Sequence, residues 1–352
     1  MRDFTINKDP VFLRKNHPHL IDRIFLRYLD DERDLPMVYL CLRITFIVIP
    51  SAIILFTEFF QGWQWYAAAG IYLIMVAGYF MGPYVLMLHN TSHRVLFKRK
   101  YRLGNLYIPW ILGPFFGQSP DTYFGHHVGM HHVENNLEDD ISSTMHYQRD
   151  SLKSFLFYYS EFIFIGFVEL VNYFRFRRRN KLLKKVIRGE FSFFLLCVLL
   201  CFINWQATLF VFIIPFVIVR FAMMAGNWGQ HAFIDAATPE NNYRNSITCI
   251  NSVYNRRCFN DGYHIGHHLS PRMHWTEMAS DFCANRQHYA EQHAIVFEGI
   301  DFFGVWLMLM MKRYDLLAKC FVNIGQVHHS EEELIRFLKS RTRKIDTPHQ
   351  VN

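Results

Sequence analysis

The sequence predicts an all-α integral membrane protein with four transmembrane helices in two hairpins, interfacial helices and a histidine-rich cap on the cytoplasmic side. Three observations predict this fold class. Hydrophobic residues make up 51% of the 352 residues and charged residues only 19%, whereas about 25% of a typical soluble domain is charged. The apolar residues are concentrated in runs that approach or exceed the ~20 residues a membrane helix needs. Basic clusters and histidines follow the ends of those runs.

The first predicted hairpin comprises residues 37–60 and 65–88. Both runs are almost free of charged side chains. Arg43 lies near one end of the first run, where its long side chain can reach the lipid headgroups. Only residues 61–64 separate the two runs, so we predict a tight connection between antiparallel helices.

The second predicted hairpin comprises residues 191–203 and 207–226, joined by residues 204–206. Its first run is short for a membrane helix. We therefore expect that helix to begin before Phe191.

Three further apolar segments are predicted to be interfacial or re-entrant helices. Residues 105–117 are too few to cross a bilayer. Residues 152–172 are numerous enough but carry three charged side chains, and residues 295–311 are interrupted by two acidic ones.

The distribution of basic residues predicts the orientation. Residues 94–102 contain five Lys or Arg, residues 175–188 contain eight and no acid, and the hairpin tips contain none. Since Lys and Arg accumulate on the cytoplasmic side, we expect these segments and both termini to be cytoplasmic, at the endoplasmic reticulum or a bacterial inner membrane. This topology explains the net charge of +7 and makes a nucleic acid partner unnecessary.

The chain outside the spans divides into two further predicted parts. Residues 1–36 are polar and charged, which indicates a cytoplasmic N-terminal segment without a cleavable signal peptide. Residues 312–352 form a predicted charged, amphipathic cytoplasmic tail. The seven cysteines are scattered with no CxxC spacing, so we expect reduced thiols rather than a disulfide scaffold.

Four of the polar segments contain short histidine motifs. His89 and His93 are four residues apart, so they share one face of a helix. A second motif contains the adjacent pair His131 and His132 together with His127, which shares a helical face with His131. His231 follows the fourth span alone, and the last motif is HxxHH. These nine histidines are His89, His93, His127, His131, His132, His231, His264, His267 and His268.

All four motifs follow the predicted cytoplasmic ends of spans, so the topology allows them to converge on one site. Neutral imidazole suits iron, zinc, copper and nickel. Nine imidazoles are too many for one tetrahedral zinc. They suit two metal ions of higher coordination number with a position left for oxygen or water.

The patterns HxxxH, HxxxHH and HxxHH resemble the three histidine boxes of the integral-membrane fatty acid desaturase and hydroxylase superfamily. The resemblance covers roughly residues 37–280, and it marks residues 37–311 as a desaturase-like catalytic domain. It implies a centre of two Fe ions with the nine histidines as ligands. The first box is more similar to those of acyl-lipid and sphingolipid desaturases and alkane hydroxylases than to those of animal acyl-CoA desaturases.

The resemblance also implies residues that support the ligands. An Asn four residues before the fourth-span histidine, here Asn227, supports the iron site through water in acyl-chain desaturases. Metal-bound histidines usually donate their second ring N–H to a carboxylate or carbonyl. The candidate carboxylates are Asp139, Asp140, Asp235 and Asp261. We favour Asp261, three residues before His264, and we expect His126 to support the second box without binding metal.

The implied activity is O2-dependent desaturation of a fatty acyl chain, with no catalytic side chain required beyond the ligands. The sequence has no dinucleotide fingerprint, phosphate-binding loop or fused haem-binding box. Electrons are therefore expected from a separate ferredoxin or cytochrome b5, which the basic residues 175–188 can dock.

Three other functions are compatible with some of these features. A lipid, alkane or carotenoid hydroxylase or ketolase of the same superfamily uses the same histidines. A membrane metal transporter is disfavoured because it needs ionisable residues within the spans, and these spans have almost none. A relative that has lost its metal is expected to have a broken box, and none is broken here.

Overall fold

The computed structural model describes residues 2, 6–14, 17–57 and 59–345. Parts of the predicted N-terminal segment, residue 58 of the first predicted span and residues 346–352 of the predicted tail lie outside the described residues. Contacts divide the chain into two compact units. Unit 1 comprises Met1–Val11, Met130–Leu170 and Ala222–Asn352, and unit 2 comprises Phe12–Gly129 and Val171–Phe221.

The first predicted hairpin is present in unit 2. The indole Nε1 of Trp65 donates to the carbonyl of Leu55 at 3.0 Å. Nearer the open end, Cys41 Sγ lies 3.6 Å from Met87 Sδ. The two helical arms therefore run antiparallel. Their successive segments are Glu32–Asp34, Leu35–Arg43, Ile44–Val48 and Ile49–Phe56, then Gly62–Leu73, Ile74–Phe80 and Met81–His93.

The second hairpin is a helical stretch of 51 residues with a break at Asn204, where φ is −156° and ψ is 99°. Phe193 stacks on Phe216 with ring centroids 5.5 Å apart. Arg220 Nη2 lies 3.1 Å from Glu190 Oε1. Because these pairs flank the break, the stretch folds back on itself within unit 2. Its segments are Asn180–Thr208, Leu209–Ile213 and Ile214–Gln230, so the first arm begins before Phe191 as expected.

The tips of the two hairpins touch each other. Gln206 donates from Nε2 to the hydroxyl of Tyr66 at 2.8 Å. The rings of Trp65 and Phe210 meet edge to face with centroids 5.4 Å apart. Both tips therefore lie on the same side of unit 2.

Three helical stretches of the described residues are long and apolar enough to cross a membrane. They are Glu32–Phe56, Gly62–His93 and Asn180–Gln230. Large apolar side chains on these arms are more than 70% exposed, including Phe46, Trp63, Ile74 and Phe202. A fourth candidate is the pair Leu152–Phe164 and Gly166–Phe176, bent by 66°. The apolar outer surface suits contact with lipid.

Residues 105–117 form short helical turns packed against the first hairpin. The Tyr84 ring stacks on Phe116 at 4.2 Å, and its hydroxyl donates to the carbonyl of Ile108 at 3.0 Å. The run ends at Gly117, where φ is +69° and a Cβ would lie 2.1 Å from the Phe216 nitrogen, so only glycine fits. The turns are Arg99–Leu106, Tyr107–Leu112 and Gly113–Phe116.

Unit 1 contains a small sheet, so the fold is mostly helical rather than all-α. Strand β1 (Ile247–Ile250) pairs in parallel with strand β2 (Ile295–Glu298), and Ile247 lies opposite Ile295. The prediction of one helix across residues 295–311 is therefore wrong at its start. A continuous apolar run does not distinguish a buried strand from a helix.

The rest of that segment forms the helix Phe302–Met310, which lies in the core of unit 1. Residues 312–345, in the predicted tail, contribute to the same core. Leu317, Leu334 and Leu338 are fully buried there. The helices that carry them are Tyr314–Cys320 and Glu331–Arg341. The predicted tail is therefore amphipathic, as expected, with its apolar side packed inside unit 1.

Arg149 links the C-terminal helix to two other segments of unit 1. Its side chain is fully buried and donates to main-chain carbonyls, including those of Ala232 at 3.0 Å, Thr144 at 3.1 Å and Arg341 at 3.1 Å. It also donates to the carbonyl of Arg343. A buried charge held by carbonyls in this way joins three stretches of chain that are distant in sequence.

The other helices and turns of the described chain are short. They are Leu20–Phe25, Thr122–His126, His127–His131, His132–Glu134, Asn242–Asn245, Val253–Arg257, His264–Leu269, Met278–Glu291 and Ile324–Gln326. All seven cysteines are free thiols, which confirms the expectation of no disulfide scaffold.

Candidate metal centre

Four of the predicted ligands meet inside unit 1, and we call them the unit 1 quartet: His131, His231, His264 and His268. One ring nitrogen from each lies within 4.8 Å of the others. His264 Nε2 is 3.1 Å from His231 Nε2 and 3.0 Å from His268 Nε2. The structure therefore brings the second box, the lone histidine and the third box together.

Local structure explains how each ring is presented. His264 and His268 are four residues apart on the helix His264–Leu269, so both rings project from one face. His231 directly follows the helix that ends at Gln230, and its backbone N–H donates to the carbonyl of Asn227 at 3.0 Å. His131 ends the helical turn His127–His131.

The outer ring nitrogens of two quartet histidines are anchored. His131 Nδ1 lies 2.7 Å from Asp140 Oδ2, and His231 Nδ1 lies 2.9 Å from the carbonyl of Asn245. Asp140 is itself fixed, because it accepts from the backbone N–H groups of Asn136 and Ser142 at 2.9 and 2.8 Å. Each anchored ring therefore donates through Nδ1 and keeps the Nε2 lone pair for the shared centre.

The environment of the quartet favours neutral imidazole. His131, His231 and His264 are at most 2% exposed. Burial, followed by the charge of neighbouring His131, lowers the pKa of His231 to about 3. Burial and four neighbouring histidines, of which His264 is the foremost, also hold the pKa of His268 well below its usual range. Neutral rings are the form that binds metal.

Two further predicted ligands lie together in unit 1, and we call them the unit 1 pair. His132 Nε2 and His267 Nε2 are 2.8 Å apart, and their ring centroids are 4.7 Å apart.

The remaining three predicted ligands meet inside unit 2, and we call them the unit 2 trio. His89 and His93 project from the helix Met81–His93. His127 Nε2 lies 3.1 Å from His93 Nε2, and the His127 ring centroid lies 4.5 Å from that of His89. The Tyr123 ring stacks on His127 at 5.3 Å. All nine predicted ligands therefore belong to histidine groups.

The spacing of the nitrogens fits metal binding. With a metal–nitrogen distance of about 2.1 Å, two donors at right angles lie about 3.0 Å apart and two tetrahedral donors about 3.4 Å apart. The closest Nε2 separations in the three groups are 3.0, 2.8 and 3.1 Å. They are close to the separations expected of two nitrogens bound to one metal ion. A set of imidazole nitrogens suits iron.

Asn227 supports the quartet through the protein rather than by direct contact with a ring. Its Nδ2 donates to the carbonyl of Ser142 at 2.9 Å and to the hydroxyl of Tyr158 at 2.8 Å. It therefore holds the loop whose Asp140 anchors His131. The family role of Asn227 through water stays a prediction.

Among the candidate carboxylates, Asp140 contacts a ligand. Asp261, which we favoured, accepts from the hydroxyl of Tyr254 at 2.8 Å, and its role toward the third box stays a prediction. Asp235 pairs with Arg341 at 3.0 Å.

Asn245 was missed by the sequence analysis. Its carbonyl anchors His231, and its side chain bridges the second-box loop, accepting from Asn136 and donating to the carbonyl of Asn135, both at 2.8 Å. No sequence signal distinguishes it, because a main-chain acceptor can belong to any residue. Among the described residues His126 belongs to none of the three histidine groups, and its expected supporting role stays a prediction.

Comparison with known proteins gives one match. The family model described as fatty acid desaturase matches residues 63–299, about two thirds of the chain. No curated protein and no solved structure matches the chain significantly.

Proposed function

The chain belongs to the fatty acid desaturase family, and from that premise we propose that it introduces a double bond into the alkyl chain of a membrane lipid with O2 as co-substrate. The family implies an oxidoreductase, and the apolar helices indicate a membrane protein. The observation that carries the proposal is the unit 1 quartet, whose four imidazole nitrogens face one another inside a buried site.

We propose two iron ions as the resident metals. The quartet is the proposed ligand set of one iron. The unit 1 pair and the unit 2 trio are proposed as further iron ligands. Support comes from the nitrogen separations close to 3 Å within each group and from the neutral form of the buried rings.

The chain's own residues hold and shield the metals. Asp140 and the Asn245 carbonyl keep the Nδ1 protons of His131 and His231 in place, so each Nε2 stays a donor toward the centre. Burial of these rings excludes bulk water. Bound iron supplies the ability to activate O2 for removal of hydrogen from an unactivated C–H bond. The net reaction takes two hydrogens from adjacent carbons and reduces O2 to two waters with two added electrons and two protons.

We propose that the chain crosses the membrane four times. The stretch Asn180–Gln230 would be about 76 Å long at 1.5 Å per residue, more than twice the ~30 Å of a bilayer core. Its fold-back at Asn204 therefore supports two crossings, in addition to those of Glu32–Phe56 and Gly62–His93. The bent pair beginning at Leu152 is then re-entrant. The basic residues 94–102 and 175–188 support a proposed orientation in which the histidine-bearing segments and both termini are cytoplasmic.

The electrons are proposed to come from a separate ferredoxin or cytochrome b5. Both are acidic proteins, which a basic surface can attract electrostatically. Arg175, Lys181 and Lys184 are exposed on the described chain and belong to the basic run 175–188, which supports docking there.

The test is mass-spectrometric lipid analysis of a host that expresses the chain. We expect a new double bond, located by derivatisation, in the host lipids. The matched control is His268→Ala, which removes one ring of the quartet and should produce none. His329→Ala is a second control, because His329 is exposed and lies in no histidine group of the described chain. A new hydroxyl in place of the double bond would instead establish a hydroxylase, and an active His268→Ala enzyme would contradict the ligand assignment.

A further inference from the structure

The N-terminal residues 6–10 lie against the loop that leads into the third histidine box, and we call them the N-terminal clamp. All contacts of the clamp described below are inside unit 1. The loop comprises residues 251–263, and the helix that follows it begins at His264. Clamp and loop are separated by more than 240 residues of sequence, so their contacts are purely tertiary.

Asp9 is the centre of the clamp. Its side chain is only 6% exposed. One oxygen, Oδ2, accepts three hydrogen bonds: from the Asn251 backbone at 2.7 Å, from Asn255 Nδ2 at 2.9 Å and from the Tyr263 hydroxyl at 2.7 Å. The other oxygen, Oδ1, accepts none from the described residues. A single oxygen atom therefore forms hydrogen bonds with the start, the middle and the end of the loop.

The clamp holds the loop where its backbone is strained. Asn251, Phe259 and Asn260 have φ values of 54–55°, a left-handed region that is costly for Phe and that Asn, although enriched there, adopts less readily than Gly. Such residues persist only when their surroundings over-determine them.

Two of the three strained residues are bound directly by the clamp's main chain. Asn251 Oδ1 accepts from the Lys8 backbone N–H at 2.6 Å, and Asn251 Nδ2 donates to the carbonyl of Ile6 at 2.9 Å. Asn260 Nδ2 donates to the carbonyl of Pro10 at 2.7 Å. The clamp thus supplies partners for both asparagines.

The loop transmits this constraint to the ligands. Tyr263 immediately precedes the helix His264–Leu269, and its carbonyl accepts from the His267 backbone N–H at 2.9 Å. One residue earlier, the Gly262 N–H donates to Asn255 Oδ1 at 2.9 Å, and a Cβ on Gly262 would lie 2.2 Å from the Cys249 carbonyl. The backbone at Gly262 is tightly packed and has no room to shift. The position of Tyr263 therefore determines the position of the helix His264–Leu269.

We propose that Asp9 is a positioning residue for the metal centre: through Tyr263 and the loop, the N-terminal clamp fixes the helix that presents His264 and His268. The inference rests on the proposed metal site but not on the identity of the reaction. It assigns to the N-terminal segment a part in metal retention. Residues that support ligands from outside typically change metal affinity by 10–100-fold when mutated.

The experiment measures metal release from the purified full-length chain in detergent, with no turnover required. The chain is loaded with Co²⁺, which reports its ligand geometry in its visible absorption, and release to excess EDTA is timed. The variants are Asp9→Ala, which removes all three contacts, and Tyr263→Phe, which removes one hydroxyl. Lys8→Ala is the matched control, because the Lys8 side chain is exposed and only its backbone is used.

We expect Asp9→Ala to release Co²⁺ about tenfold faster than the parent, with an altered Co²⁺ spectrum, and Tyr263→Phe to release it severalfold faster. Asp9→Asn should stay near the parent, because one amide oxygen can occupy the position of Oδ2. Lys8→Ala should not change the rate.

Parental release rates in both Asp9→Ala and Tyr263→Phe would overturn the inference. If Asp9→Ala does not fold, Tyr263→Phe decides alone. Asp9→Asn as fast as Asp9→Ala would overturn the geometric role, since only the charge would then matter. A parent that binds no Co²⁺ would contradict the proposed metal centre itself, which separates that failure from failure of the clamp.

Discussion

The unit 1 quartet and the unit 2 trio present the same side chain by different means. In the trio, His89 and His93 come from one helix and share a face because of their spacing. In the quartet, the rings come from three distant segments and depend on anchors such as Asp140 and the Asn245 carbonyl. Helix periodicity determines most of the ring positions in the trio, whereas a network of tertiary polar contacts determines those in the quartet.

The surroundings differ in the same sense. Unit 2 is built of apolar arms with large side chains such as Phe202 and Trp63 exposed. Unit 1 buries polar groups in number, among them Asp9, Asp140 and Arg149. The comparison predicts that loss of a buried polar contact in unit 1 is costly and that loss of an exposed contact at the hairpin tips of unit 2 is mild.

The largest expected effect is loss of one ligand from the quartet or from the trio. His231→Ala in the quartet and His93→Ala in the trio should both abolish product formation, because each removes a nitrogen from a proposed iron ligand set. Product is measured by lipid mass spectrometry, and iron per protein by elemental analysis. Full activity in either variant would remove that group from the proposed centre.

Arg149→Met tests the polar network of unit 1. Burial lowers the pKa of Arg149 to about 9, so it stays protonated near neutral pH. Its removal leaves buried carbonyls without donors, and we expect a loss of about 3 kcal/mol in the free energy of unfolding. The midpoint of thermal unfolding in detergent measures this. Arg336→Met, at an exposed position, is the control and should leave the midpoint unchanged.

Asp140→Asn isolates the anchor of one ring. The variant keeps the shape of the side chain but weakens the bond to His131 Nδ1, so metal affinity of the quartet should fall by about 10–100-fold. Competition with a chelator measures the affinity. Glu138→Gln is a neighbouring exposed control, and an equal loss in both variants would mean that Asp140 has no special role.

The smallest expected effect is at the hairpin tips of unit 2. Gln206→Ala removes the exposed hydrogen bond to Tyr66, which should cost no more than about 1 kcal/mol of unfolding free energy. Thermal unfolding checks this against Arg149→Met. If Gln206→Ala lost as much unfolding free energy as Arg149→Met, the predicted difference between the two contacts would be wrong.

Sequence reasoning succeeded where local periodicity determines the structure. The two hairpins follow from hydropathy, and the histidine motifs follow from helical spacing. The match to residues 63–299 confirms the family that the motifs indicated. The start of the second hairpin at Asn180 was anticipated only as earlier than Phe191, because a charged helical extension has no hydropathy signal.

Sequence reasoning failed where the structure depends on contacts between residues that are distant in sequence. Strand β2 has only three apolar residues followed by Glu298, and an apolar helix begins at Phe302, so its pattern carries no strand signal. Asp140 contacts His131 because the second-box loop turns back on its own helix, held by Asn136 and Ser142, and no local pattern separates Asp140 from the other candidate carboxylates. Asp9 lies near the start of the chain, and nothing in its neighbourhood indicates a partner beyond residue 250.

The contact between the N-terminal clamp and residues 251–263 has a consequence for biosynthesis. The clamp leaves the ribosome first, and its partner loop follows after both hairpins have been made. At 5–20 residues per second the interval is roughly 10–50 s. During that time Asp9 has no loop to hold, and His264 and His268 do not yet exist. The four rings of the quartet can therefore meet only at the last stage of translation or in the finished chain, which is when the proposed iron would be loaded.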